Sequence, residues 1–456
     1  MQPPERVLST LNPDGSRRWM RPKESPGRFL TWRRLVGWFL IVVFAVLPWL
    51  RIDGQPPILL DVMRRHFVFF GTVFRPTDTL LLALLILSVF ITIFLLTALV
   101  GRVWCGWGCP QTVYMEFVFR PLERFFLGRA YANSKQSVAA WRRVAMYLTF
   151  LVVSAHLANT FLAYFVGTDQ LTQWTFKSPT EHSTAFLVFL VTTGLMMFDF
   201  AFYREQMCTL VCPYGRFQSV LLDRDSVIVG YDRLRGEPRG KKKAEGVGDC
   251  IDCTLCVQTC PTGIDIRDGL QLECIHCAQC IDACDAVMTK LGRAPGLIRY
   301  SSQNRLEQRQ GSRFRFRMVV YPLLLIGALT AFVTLLVTRK DAMVVALRTE
   351  GTPYVVGADG TVTNTLRLRI DNRTKEDRTY HVEAEPGTVL REPAEVTVEP
   401  ASNATVTLHI LSHEPEFLRG RREIGLRIFD GKSFDEKYEF SIIGPFGALN
   451  SKEHSP

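Results

Sequence analysis

Eight of the chain's cysteines fall between residues 250 and 284 in a doubled spacing: Cys250-x2-Cys253-x2-Cys256-x3-Cys260-Pro261, then Cys274-x2-Cys277-x2-Cys280-x3-Cys284. A disulfide scaffold would spread its cysteines through a small secreted domain, whereas tight runs of fixed spacing read as metal sites. Iron in a cubane cluster takes four soft thiolates. In two-cluster ferredoxins three close cysteines wrap one cube, and the fourth of each run crosses to the other. The spacing therefore predicts two [4Fe–4S] clusters. Cys250, Cys253, Cys256 and Cys284 are expected on one, and Cys274, Cys277, Cys280 and Cys260 on the other. A zinc module using some of these residues is the competing reading, and eight cysteines in this order with Pro261 after the fourth argue against it. Asp285 stands where the second run often has proline, which removes no ligand.

The rest of the chain segregates into apolar runs and basic blocks, which an average of 47% hydrophobic and 21% charged residues hides. A bilayer core of about 30 Å needs roughly 20 apolar residues in a helix. Leu35–Leu50, Leu80–Val100, Val144–Val166, Ala185–Phe202 and Met318–Thr338 approach or meet that length, the first weakened by Pro48. His66–Val73 is apolar but too short to span, and reads as an interfacial or re-entrant piece. Basic residues mark the cytoplasmic side. They crowd the N-terminal tail (Arg17, Arg18, Arg21, Lys23, Arg28, Arg33, Arg34), the loop after the second run (Arg102, Arg120, Arg124, Arg129, Lys135, Arg142, Arg143) and the stretch from Arg204 to Arg317. The loop between the third and fourth runs has only Lys177. The first outer loop fits less well, with Arg51, Arg64, Arg65 and Arg75 offset by Asp53, Asp61 and Asp78. The net charge of +10 is thereby assigned to lipid headgroups and not to nucleic acid, for which no motif is present.

The expected organisation is a multi-domain protein: an α-helical membrane bundle of about five transmembrane helices, an inserted ferredoxin-like α+β module and a C-terminal immunoglobulin-like β-sandwich. Its boundaries are a basic tail (1–34), the bundle (35–203), a cytoplasmic segment (204–317) with the cluster module at about 248–292, a last span (318–338) and an outer domain (340–456). The outer domain is read from alternating runs such as Thr365–Ile370, Thr379–Ala384, Thr405–Ile410 and Glu423–Phe429, separated by turn residues. The N-terminus shows no cleavable signal pattern.

The other four cysteines form two Cys-x3-Cys-Pro motifs, Cys105-Gly-Trp-Gly-Cys109-Pro110 and Cys208-Thr-Leu-Val-Cys212-Pro213, set 103 residues apart and each just after an apolar run. Proline favours the first helical position. Cys109 and Cys212 are thus expected at helix N-termini, where the backbone dipole favours thiolate. Four thiolates converging at the inner membrane face would suit one soft ion, Cu(I) above all. Dithiol redox couples and purely structural cysteines stay open. His156, inside the third run, reads as a packing residue before a quinone, metal or haem contact, while His66 and His182 lie nearer the outer face. Asp199 either touches the Cys208 region or reaches the interface. His381, His409 and His413 read as solvent-facing strand residues. No Gly-rich dinucleotide fingerprint follows a strand.

Three stretches, Gly101–Phe125, Arg204–Ser226 and Gly248–Gly292, together with His156–Gly167 and the C-terminal sandwich, resemble the cytochrome c oxidase accessory protein family of the CcoG/FixG/RdxA type. The resemblance implies a membrane-bound copper reductase of the bacterial inner membrane, converting Cu(II) to Cu(I) for assembly of a cbb3-type oxidase. It implies cluster ligands at the eight cysteines from Cys250 to Cys284, and a copper or electron-relay role for Cys105, Cys109, Cys208 and Cys212. Copper ions, cytochrome oxidase assembly factors or copper chaperones, and an unidentified reductant are the implied partners. A quinol-linked relay, as in membrane proteins of nitrate or nitrous oxide reduction, and a non-catalytic assembly scaffold are the alternatives.

Overall fold

The computed structural model describes residues 9–445, apart from 13, 53, 64–65, 76–77, 129–130, 132–136, 216–220, 241–245, 310–315, 349–351, 353, 375, 387, 392–393, 401, 414–416 and 418. Asp53, Arg64, Arg65, Arg129 and Lys135 of the basic-loop argument, and 216–220 of the second family-like stretch, lie outside the described residues.

The chain runs through α1 (Arg28–Val46), a small antiparallel sheet of β1 (Ile58–Asp61), β2 (His66–Phe69) and β3 (Thr72–Phe74), then α2 (Thr79–Val100). Short α3 (Val103–Trp107), α4 (Pro110–Tyr114) and α5 (Arg120–Leu127) lead to α6 (Ala140–Val166), α7 (Thr168–Thr175) and α8 (Ser183–Phe198). The cysteine-rich module contains β4 (Ile228–Tyr231), α9 (Leu255–Gln258), α10 (Gln279–Lys290) and β5 (Ile298–Ser301), and α11 (Arg317–Val337) follows. Five of these helices, α1, α2, α6, α8 and α11, are long and apolar enough to cross a membrane. Their outward faces carry exposed Leu80, Leu87, Phe90, Leu187, Leu323 and Ile326, a surface suited to lipid and costly in water.

Two local expectations change. Helix α1 begins at Arg28, so residues expected in the tail are helical. Its first turn is capped from far along the chain: the Asp282 carboxylate accepts the backbone N–H of Phe29 (3.2 Å) and of Leu30 (2.8 Å). A hydropathy reading cannot see a cap supplied by a residue of α10. The segment 66–73 is not a re-entrant piece but most of a β-hairpin. Phe70 (φ 47°) and Gly71 (φ 81°) make a two-residue turn with both residues left-handed, the geometry that matches strand twist.

Bundle and cysteine module belong to one compact unit, residues 1–332. The antiparallel β4–β5 pair closes the module, with Ile228 opposite Ser301. Val229, Ile264, Ile266, Ile281, Met288 and Ile298 fill its core. A buried ionic network joins module to bundle. Arg120 pairs with Glu116 and with Glu205 (3.5 Å) and donates to the carbonyl of Pro261, while Gln279 donates to Glu116 (3.1 Å). Beside it Arg204 pairs with Glu123 at 2.5 Å. Arg204 adopts φ 55°, ψ −122°, close to Gly101 at φ 63°, ψ −138°, the position 103 residues earlier. The motif repeat is therefore also a backbone repeat, and in its second copy a non-glycine residue bears the strain. Glu123→Gln removes the partner that holds Arg204 in place. It is expected to cost about 3–5 kcal/mol, read as a lower midpoint of detergent-induced unfolding.

The second unit, residues 333–456, carries the β-sandwich. One sheet runs β10 (Val389–Leu390), β12 (Asn403–His413), β8 (Thr361–Asn372), β6 (Ala342–Arg348), with β7 (Tyr354–Val356) also on β8. The other runs β11 (Ala394–Val398), β9 (Arg378–Ala384), β13 (Arg421–Phe429), β14 (Asp435–Ile443). Alternate residues Leu368 and Ile370, Leu408 and Ile410, and Ile424, Leu426 and Ile428 meet between the sheets around buried Tyr380. The fold holds without a disulfide because this core is continuous.

Candidate iron–sulfur and thiol site

The two cysteine runs build two cavities. Cys250, Cys253, Cys256 and Cys284 line the first, beside Tyr231, Arg267 and Ile298. Cys260, Cys274, Cys277 and Cys280 line the second, beside Val229, Ile264 and Ile266, with Cys256 also at its edge. The fourth cysteine of each run thus faces the cavity of the other run. Local backbone makes this possible. Asp252 and Thr254 in the first run, and His276 and Ala278 at the matching positions of the second, all have φ between 54° and 60°. Alternating left-handed residues curl a loop around a centre and turn its amides inward. None of the four is Gly or Asn, so the residue types alone do not signal this backbone.

The donor set fits a cubane. Four sulfurs ring each cavity, the walls are otherwise mostly apolar apart from Arg267 and Thr254 on the first and Thr262 on the second, and among the described residues no three His, Cys, Asp or Glu side chains stand close enough to share a single metal ion. That spacing disfavours one zinc and leaves room for a larger group. Burial pushes the thiols of Cys256, Cys274 and Cys284 up to about 12 and raises Cys277 and Cys280 as well. Metal uptake must therefore displace protons. Two cysteines are buried on each cavity, Cys250 and Cys256 on the first and Cys274 and Cys277 on the second, and the first differs in carrying the exposed Cys253.

The Cys-x3-Cys-Pro motifs come together beside the second run, which Cys105 touches at Ile275 and Cys277. Cys105 sits on α3, Cys109 precedes Pro110 at the start of α4, Cys208 lies in a wide π-type turn over Met207–Val211, and Cys212 ends that turn. Cys105, Cys109, Cys208 and Cys212 are near enough to perturb one another electrostatically, and Asp199 perturbs Cys109 and Cys208. Gln111 holds Asp199 with a 3.1 Å bond. Of its two expected positions, Asp199 thus takes the one beside the cysteines. They do not close to single-ion geometry, so convergence stops short of a preformed copper cage. At Cys109 the expected thiolate stabilisation is also reversed. The amides of Gln111 and Thr112 do reach Cys109, but burial outweighs them and raises its pKa. Burial likewise pushes Cys105 up to about 11 and Cys208 higher still.

Cys105 packs against Ile275 and Cys277 of the second run. Around that contact the backbone N–H of Arg102 donates to His276 Nδ1 (3.0 Å), and Tyr300 donates to the His276 carbonyl (2.6 Å). Trp107 Nε1 donates to the Tyr300 hydroxyl (3.1 Å), and Arg33 Nε to the carbonyl of Gly106 (2.8 Å). Burial, with Arg102 nearby, holds the His276 pKa down to about 3, so the ring is a neutral clamp. Sequence reasoning passed over His276, Arg33, Arg102, Trp107 and Tyr300. The placement of His276 between Cys274 and Cys277 was the one available hint. The remaining described histidines stand apart from the cysteines. His156 is exposed on the outer face of α6 and not packed as expected. His182 stacks on Trp174, His66 lies in β2, and His409 and His413 are exposed on β12, while half-buried His381 stacks on Phe429.

Fold and site together define a membrane-linked iron–sulfur electron-transfer protein with an added β-sandwich domain. Comparison with known families agrees: a 4Fe-4S dicluster domain matches residues 203–303, a 4Fe-4S binding domain residues 82–131, and an IG-like fold at the C-terminal of FixG residues 332–445. Protein RdxA of Cereibacter sphaeroides is 32% identical over 423 residues, covering 87% of this chain and 89% of that protein. Nitrogen fixation protein FixG of Rhizobium meliloti is 33% identical over 438 residues, covering 84% and 82%. A crystal structure of a FixG-related protein from Vibrio parahaemolyticus covers 23% of this chain and 97% of its own at 18% identity, with a TM-score of 0.20. The chain belongs to the FixG/RdxA family.

Proposed function

We propose that the chain holds two [4Fe–4S] clusters and reduces Cu(II) to Cu(I) at Cys105, Cys109, Cys208 and Cys212, in support of copper loading of a cbb3-type cytochrome c oxidase. The observation that carries this reading is the packing of Cys105 on Ile275 and Cys277, which puts the thiol group and the second cysteine cavity in one buried patch. Cys250, Cys253, Cys256 and Cys284 would hold one cluster, and Cys260, Cys274, Cys277 and Cys280 the other. When bound, the clusters supply one-electron chemistry. Copper is substrate here: each Cu(II) takes one electron, ultimately from a one-electron donor, and soft sulfur favours the Cu(I) formed. Burial keeps Cys105, Cys109 and Cys208 protonated until a metal arrives, so copper binding releases protons to water. The basic loops assign the module to the cytoplasmic side of a bacterial inner membrane and the sandwich to the periplasmic side.

The test uses full-length protein in detergent, reduced anoxically with dithionite, freed of excess reductant, and mixed with Cu(II) and a Cu(I)-selective chelator. Wild type is expected to yield about two Cu(I) per chain, one per cluster. The variant with all four motif cysteines changed to Ser should keep its clusters reduced and form Cu(I) far more slowly. Equal rates in the two proteins, with iron content equal, would remove the assignment.

A further inference from the structure

Two arginines beside the second cavity pair with no carboxylate among the described residues. The Arg33 side chain is fully buried, and its Nε is used on the Gly106 carbonyl. Both terminal nitrogens of Arg33 lack a hydrogen-bond partner in the structure, and among the described residues no carboxylate pairs with it. The group felt most strongly by Arg33 is Cys277. Asp282 is also within its field, but that carboxylate is occupied by the amides of Phe29 and Leu30. Arg102, 2% exposed, donates to the carbonyl of Leu272 and to Cys105, and it faces Cys274. It too has no carboxylate partner among the described residues. Carbonyls, a thiol and the Phe117 ring, 5.7 Å from the Arg33 guanidinium, supply no formal negative charge, and a buried cation that lacks one is disfavoured, so the two arginines point to an anion that belongs between them.

The first cavity is arranged in the opposite way. Its arginine, Arg267, is fully engaged by acids: Nε and one terminal nitrogen on Asp265 (2.8 and 2.7 Å), the other on Asp252 (2.5 Å). Two carboxylates more than cancel its single positive charge. A cubane with four thiolate ligands is anionic and gains one more negative charge on reduction, so nearby net charge tunes its potential.

We propose that Arg33 and Arg102 hold the cluster of the second cavity at a higher reduction potential than the cluster of the first, so that electrons settle next to Cys105. The proposal rests on the two-cluster reading above. Solvent works against it, because exposed Cys253 lets water stabilise the reduced state of the first cluster while burial penalises that of the second. The arginines win because the low dielectric that penalises the buried cluster also strengthens their attraction to it, and among the described residues no carboxylate is paired with either.

The experiment is an EPR-monitored redox titration of full-length protein in nanodiscs, with a soluble dysprosium complex added to mark the solvent-accessible cluster. Wild type is expected to show two midpoints, the shielded cluster being the higher. Arg33→Met should lower the reduction equilibrium constant of the shielded cluster at least tenfold, 59 mV for one electron, and leave the accessible cluster in place. Arg33→Lys, which keeps the charge, should recover most of the shift. If Arg33→Met loses iron, Arg102→Met carries the same readout. Shielded-cluster midpoints that stay put in charge-removed variants with full iron, or a wild-type order that is reversed, would overturn the proposal alone. Iron-free wild-type protein would overturn the two-cluster reading and the proposal together.

Discussion

Changing Cys284 to serine is expected to empty the cavity of the other cysteine run. Cys284 belongs to the second run by sequence, yet it lines the first cavity with Cys250, Cys253 and Cys256. Iron should fall from roughly eight atoms per chain to about four. The surviving EPR signal should be the one that a soluble paramagnetic complex cannot reach, because the first cavity is the one with an exposed cysteine, Cys253. Cys260→Ser should do the reverse, since Cys260 lines the second cavity with Cys274, Cys277 and Cys280. If each variant instead lost the cluster nearest in sequence, the crossed assignment would be wrong. The comparison is sharp because the two cysteines are replaced in the same way and differ only in which cavity they face.

Gly106→Ala should separate the thiol group from the second cavity without touching any cysteine. A Cβ at Gly106 would stand 2.5 Å from the Ile275 carbonyl oxygen and 2.9 Å from both Cα and N of Cys277. These are backbone atoms that cannot rotate away. Helix α3 would have to lift, loosening the Arg33 bond to the Gly106 carbonyl and the Arg102 bond to His276. Overpacking of this kind costs about 1–3 kcal/mol, which a compact unit can survive. A displacement of about 1 Å at a reacting site can cost on the order of 100-fold in rate. Cu(I) formation is therefore expected to fall by about that factor while iron content stays at the wild-type value. An unchanged rate would show that contact between α3 and the Ile275–Cys277 loop does not matter for copper reduction.

Much of the protein is legible because its signals are local. Apolar runs of the right length locate the membrane-crossing helices, since a helix meets its hydrogen bonds internally and needs only apolar length. Period-two alternation in 365–370, 405–410 and 423–429 foretells strands that the sandwich extends by two to four residues, at both ends of the first two and at the N-terminal end of the third. The cysteine runs announce two clusters because cubane ligation depends on soft donors at short, repeated spacing.

Local chemistry along the chain thus sets the inventory: helices, sandwich strands and two sets of thiols. Packing in three dimensions sets how these parts address one another. It caps α1 with Asp282, seats Gly106 on the backbone of Cys277, and leaves Arg33 buried without an acid while Arg267 has two. It also reverses the expected state of Cys109, where two helix amides favour thiolate and burial favours thiol. The physical reason is the same in each case. Desolvation and unscreened charge are sums over everything packed around a group, including residues hundreds of positions away, and spacing along the chain does not encode such sums.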